Sequence, residues 1–119
     1  MQRYTELKVW ERSHALALEV YRRSESYPEK ERYGLVSQLR RAVTSVPANI
    51  AEGSKRQGNQ DFARFLNIAE GSLAEADYLL LLSRDLGYLD GEAAKKLRSE
   101  AEEIARMLYA FRHKVERGP

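Results

Sequence analysis

From Gly91 onward, Leu97, Ala101, Ile104, Leu108, Phe111 and Val115 recur at alternating steps of four and three residues, the spacing that brings apolar side chains onto one seam of an α-helix. Lys95, Lys96, Glu100, Glu102, Glu103 and Arg106 all fall outside that seam. A helix divided in this way has to bury its seam against other helices. Three further segments offer partners. Val9, Trp10, Ser13, Leu16, Ala17, Val20 and Tyr21 form a stripe in a helix predicted over about 6–26. Leu35, Leu39, Val43, Val46 and Ile50 form one in a helix over 29–54. In a third helix over 59–86, Phe62, Leu66, Ala69, Leu73, Ala76 and Leu80 again step by four and three, and the fourth helix spans 91–115.

The punctuation between these segments is short. Tyr27-Pro28 breaks the first helix, and Pro28 suits the opening turn of the second, where its missing N–H costs little. Pro47 removes the bond to the Val43 carbonyl, yet the apolar phase is kept on both sides of it. A kink is therefore expected rather than a stop, with two shorter helices as the alternative. Gly53 to Gly58 supplies the next turn, with Asn59 as N-cap; Gly87 suits a left-handed helix end, and Asp90 the last N-cap. Helices of roughly 20–27 residues are about 30–40 Å long, and short connections make neighbours antiparallel. The expected fold is all-α: a single domain over 1–119, an antiparallel up-down-up-down four-helix bundle with its second helix kinked at Pro47.

A chain of 119 residues can bury roughly two thirds of its unfolded surface, so its core needs neither disulfide nor metal. There is no cysteine, which removes thiolate chemistry and suits a reducing compartment. The first residues lack the apolar core of a signal segment, and the longest apolar run, Tyr78 to Leu82, is far too short to span a bilayer. A cytoplasmic protein with no membrane partner is expected. Net charge is only +2, but through Gly58 there are 11 Lys and Arg against 7 Asp and Glu, and beyond it 9 against 11. The basic surplus lies in the N-terminal half and favours an anionic partner there, although a surplus of this size is also an ordinary solvated surface.

Catalytic chemistry finds little support, and no catalytic residue is assigned. The histidines are His14 and His113, and adjacent Ser13 and His14 point in different directions on a helix. Glu11 and His14 have the Glu-x-x-His spacing of bundle metal sites, but the second copy is absent and the third and fourth helices carry apolar residues where further carboxylates would be needed. Gly53-Ser54-Lys55-Arg56-Gln57-Gly58 has a lysine without the full phosphate-loop pattern. No metal or cofactor is expected.

The second helix carries the most informative polar pattern. Gln38, Arg41, Ser45, Asn49, Glu52 and Arg56 form a stripe beside the apolar one, and Arg40, Arg41, Lys55 and Arg56 place positive charge at two levels of it. Guanidinium forks there could hold phosphates. A solvated face with local ion pairs to Glu52 is the plainer alternative, and the residues alone favour it. The third helix has a second seam, Phe65, Ile68, Ser72, Leu79, Leu82 and Leu86, interrupted by Glu75. Phe65, Ile68, Leu79 and Leu82 are the candidate contacts to another subunit, while a helix central in its own bundle explains them equally well. Gly71 within that helix suggests the close approach of another helix, in this chain or another.

Four runs taken together resemble a known family: LKVWERS at 7–13, YGLVSQLRRAVTSVPANIAEGSKR at 33–56, FARFLNIAEGSLAEADYLL at 62–80 and LGYLD at 86–90. The chain is similar over 7–111 to the four-helix-bundle 23S ribosomal RNA intervening-sequence proteins, a family related to the accessory variability proteins of diversity-generating retroelements. The motif residues include Trp10, Gly34, Gln38, Ser45, Pro47, Asn49, Glu52 and Gly53. The resemblance implies a non-enzymatic protomer that assembles into a homopentamer. It also implies a basic surface for RNA, ribosomal RNA included, and a reverse transcriptase as a further possible partner. The near-balanced charge of this chain departs from the strongly basic retroelement proteins. A protein–protein assembly module without nucleic acid is the alternative.

Overall fold

A computed structural model of the chain describes residues 3–118, which form four α-helices and two short 3-10 turns, with no strand among them. Helix α1 spans Lys8–Ser24, α2 Leu35–Ser54, α3 Asn59–Asp85 and α4 Gly91–Arg117; the 3-10 turns are Tyr4–Glu6 and Glu29–Glu31. Each helix packs on its neighbours in the chain, α2 against α3 most extensively, and α1 closes on α4. The seams read from the sequence converge. Leu39, Ile50, Leu66, Leu73, Leu80, Ile104 and Leu108 are among the fully enclosed side chains of one continuous core, in a body of 47 × 24 × 20 Å.

The ends of the helices depart from expectation where local chemistry intervenes. The second helix begins at Leu35 rather than 29, because Gly34, at φ −109° and ψ −102°, separates α2 from the 3-10 turn led by Pro28. The Glu31 carboxylate faces the new helix start, accepting from Leu35 N at 3.5 Å, while Tyr88 Oη donates to its other oxygen at 2.9 Å. That bond pushes the Tyr88 hydroxyl pKa upward. Helix α1 is two residues shorter at each end than the expected 6–26. Gly58, not Asn59, is the N-cap of α3: its φ of 91° turns the chain in a way that favours glycine, and Asn59 is already helical. Asp90 caps α4 as expected, accepting from Ala93 N at 2.9 Å, and Gly87 adopts a φ of 82°. Helix α2 runs unbroken through the buried Pro47, which excludes the alternative of two shorter helices.

Packing between α2 and α3 turns on Gly53. A Cβ at this position would lie 2.7 Å from Phe65 Cβ and 3.0 Å from Phe62 Cδ1, so only glycine lets the two backbones come this close. The result explains the breadth of α3's apolar surface. Lying between α2 and α4, it buries Phe65 and Leu79 inside the protomer and packs Leu82 partly against the core, leaving Ile68 exposed. Gly71 behaves differently from the close approach it suggested: a Cβ there would meet nothing within 4 Å.

Ion pairs sew the outer edges of the bundle. Arg12 on α1 reaches α4, with Nε 2.7 Å from Glu100 Oε2 and an Nη 2.7 Å from Glu103 Oε1. The Arg12 hydrogen bond holds the Glu100 carboxyl below the usual carboxylate range. Between α3 and α4, Arg98 pairs with Asp77 at 2.9 Å, and Arg112 with Glu70.

Candidate nucleic-acid interface

The polar stripe of α2 divides into parts with different chemistry. Its middle is drawn into the joint with α3: Ser45 Oγ is 2.9 Å from Ser72 Oγ, and Asn49 Nδ2 donates to the Ser45 carbonyl at 2.8 Å and to its hydroxyl at 2.9 Å. These two motif residues therefore spend their polar atoms on helix packing, while Gln38 stays exposed. Trp10 is half-buried against the core, stacked on His14 at 4.8 Å between ring centroids and edge-on to Tyr4 at 5.3 Å.

At the C-terminal end of α2, Arg56 lies near acids. Arg56 donates to Glu52 Oε2 at 2.6 Å, stands 4.0 Å from Asp61 and covers the Phe65 ring at 4.8 Å. Its charge is largely compensated. The plainer alternative, a local ion pair with Glu52, holds at this position, and exposed Lys55 adds a cation beside it.

The other pair occupies a different setting. Arg40 Nε donates to Ser24 Oγ at 2.9 Å, one of its Nη atoms donates to the Tyr21 carbonyl at 3.2 Å, and the guanidinium lies 4.4 Å above the Tyr21 ring. Arg40 thus adds a donor to a carbonyl in the last turn of α1, where the backbone supplies none and the Ser24 hydroxyl donates at 3.3 Å. Arg41 makes one hydrogen bond, to Ser37 Oγ at 3.3 Å. Among the described residues, neither arginine has a carboxylate within salt-bridge distance. Both line an open concavity of about 420 Å³ with Tyr21, Arg32, Tyr33, Val36, Ser37 and Thr44, and none of its lining residues is acidic. Arg32 lies 5.4 Å from the Tyr33 ring and 3.4 Å from exposed Glu29.

Sequence reasoning singled out Arg40 and Arg41 but not Arg32, Tyr33 or Tyr21. A helix assumed to start at 29 placed Arg32 and Tyr33 on a regular face, whereas Gly34 sets them in a turn at the mouth of the concavity. The adjacent Arg-Tyr-Gly was the available signal.

A second concavity borders the first, sharing Tyr21 and Thr44. Trp10, His14, Leu18, Pro47, Ala48 and Ala51 line it along the α1–α2 groove, and it is predominantly apolar. Among the described residues, no group of three or more His, Cys, Asp or Glu is placed to hold a metal ion, and no helix is long and apolar enough to cross a membrane.

The family profile described as 23S rRNA-intervening sequence protein matches residues 5–110. A solved structure from Bacteroides thetaiotaomicron, described as a protein of unknown function from the S23 ribosomal protein family, is similar at 27% identity. The match covers 87% of this chain and 96% of that one, with a TM-score of 0.78. No curated protein matches. Neither of the two descriptions refers to retroelements.

Proposed function

Because the chain belongs to the 23S rRNA-intervening sequence protein family, we propose that it is a non-enzymatic, oligomeric, RNA-associated bundle. The observation that carries this reading is the acid-free concavity at the junction of α1 and α2, where Arg40 and Arg41 keep N–H donors that no carboxylate takes up. Guanidinium groups with unused donors bind phosphate oxygens. The proposed site accordingly centres on Arg40 and Arg41 of the four residues expected from the sequence and adds Arg32, while Lys55 and Arg56 form an outlying level in which Glu52 and Asp61 compensate Arg56. The surroundings of the histidines support the non-enzymatic part of this reading: His14 stacks on Trp10, and the His113 ring lies tilted against Tyr109.

The test is an electrophoretic shift with RNA at several salt concentrations, comparing the parent with an Arg32→Ala, Arg41→Ala double variant. Both side chains extend from the protein surface rather than into the core, so the fold should survive. Binding should weaken across unrelated sequences, and the logarithmic salt slope should flatten by about 0.7 for each single-strand phosphate that the variant no longer neutralises. Equal binding by the variant and the parent would move the site elsewhere. Self-assembly, a pentamer by the family resemblance, needs an apolar face; the groove bordered by Trp10, Leu18 and Pro47 offers one, and Ile68 on α3 is a further exposed apolar side chain. The same groove supports the second reading, an assembly module whose partner is a protein. That reading takes over if no RNA binds even at low salt.

A further inference from the structure

We propose that the concavity takes single-stranded RNA in particular, with an unpaired base stacked on Tyr33 and the neighbouring phosphates held by Arg40 and Arg41. The inference rests on the RNA-association reading above and specifies its substrate. Tyr33 is 86% exposed, an unusual placement for a large ring with no packing role. It projects from the turn before α2 with the Arg32 guanidinium 5.4 Å over one side of the ring, and a ring so open to water offers its other face to a base.

The arginines extend this platform. The Arg40 guanidinium already lies over the Tyr21 ring, and a planar guanidinium can receive a base on its outer side. Arg40 spends Nε and one Nη on Ser24 and Tyr21, and Arg41 spends one Nη on Ser37, so each retains donors for a phosphate. Aromatic rings alternating with unpaired cations are the arrangement that binds strands with exposed bases. An A-form duplex hides its base faces in the stack and presents phosphates and 2′-hydroxyls, so Tyr33 would find no counterpart on it.

The test measures fluorescence anisotropy of three labelled probes at one low ionic strength: a short single-stranded RNA, that strand annealed to its complement, and the strand with abasic sites throughout. Tyr33→Ala, Tyr33→Phe and Arg41→Ala are compared with the parent after melting curves show that each folds. The parent should prefer the single strand to the other two probes. Tyr33→Ala should weaken the single strand roughly 5- to 150-fold, the range for losing one stacked base, and leave the duplex and abasic probes unchanged. Tyr33→Phe should retain parental affinity, and Arg41→Ala should weaken all three probes. Duplex binding as tight as single-strand binding, or a Tyr33→Ala variant indistinguishable from the parent, overturns the stacking proposal while leaving RNA association standing. Failure of all three probes to bind at low salt removes both.

Discussion

Gly53→Ala and Gly71→Ala are the same chemical change in neighbouring helices, and the structure assigns them opposite signs. At Gly53 the new methyl would lie 2.7 Å from Phe65 Cβ, against the roughly 3.5–4.0 Å of an unstrained carbon contact. Phe65 Cβ is fixed to its backbone and cannot swing away, so α2 and α3 must separate locally. Overpacking costs typically about 1–3 kcal/mol, and a clash with an immovable atom belongs in the upper half of that range. Replacing a helix-interior glycine returns about 1 kcal/mol of propensity. A net loss of about 1–2 kcal/mol follows at Gly53. At Gly71 no atom lies within 4 Å of the added Cβ, so only the gain of up to about 1 kcal/mol remains. With an unfolding entropy of about 2.1 cal/mol/K per residue, a chain of 119 residues shifts its Tm by about 4 °C per kcal/mol. Thermal melts followed by circular dichroism at one protein concentration should show Gly53→Ala falling by about 4–8 °C and Gly71→Ala rising by up to about 4 °C. A neutral or stabilising Gly53→Ala would refute the close approach of α2 and α3. A destabilising Gly71→Ala would show that something outside the protomer covers that face of α3.

Acid should loosen the α1–α4 edge. Glu100 has its pKa lowered by the hydrogen bond from Arg12, so its contribution is complete above the unfolded carboxylate value of about 4.3 and is lost as pH falls through the lower folded value. Tm of the parent should therefore drop more steeply below about pH 4 than that of Glu100→Gln, and parallel curves would contradict the assignment. Pro47→Ala should leave the chain helical and raise its stability by about 1 kcal/mol: a helix-interior proline costs about 3 kcal/mol, against some 1.6 kcal/mol of burial forgone with two ring methylenes. Disappearance of the helical signal would show the proline to be required for folding. Size-exclusion light scattering at micromolar concentration should give a mass well above the 13.7 kDa of one chain, and a monomer would refute the oligomer.

What the sequence made legible was whatever repeats along a helix. The four-and-three spacing of Leu97 to Leu108 and of Leu66 to Leu80 located the core almost side chain by side chain, and Asp90 and Gly87 marked the α3–α4 turn correctly. Periodicity carries no distance information across helices. It could not tell that Phe65 and Leu79 turn inward while Ile68 stays outside, because that depends on how α3 sits between α2 and α4. Nor could it show that Arg56 would meet Asp61, or that Arg40 would cap α1, since each partner belongs to a different helix. The turn at Gly34 was hidden by a helical reading of its neighbours, and with it the exposure of Tyr33.

Arg12 bridging to Glu100 and Glu103 places the first helix beside the last. With up-down-up-down order, the start of α1 and the end of α4 therefore lie at the same end of the bundle. A circular permutant that joins them through a short glycine–serine linker, and opens the chain at exposed Gly58, would turn the α1–α4 edge into an ordinary hairpin. The tight α2–α3 contact at Gly53 would become the one pairing formed between the new ends of the chain. The order of helices could then change without changing which faces meet.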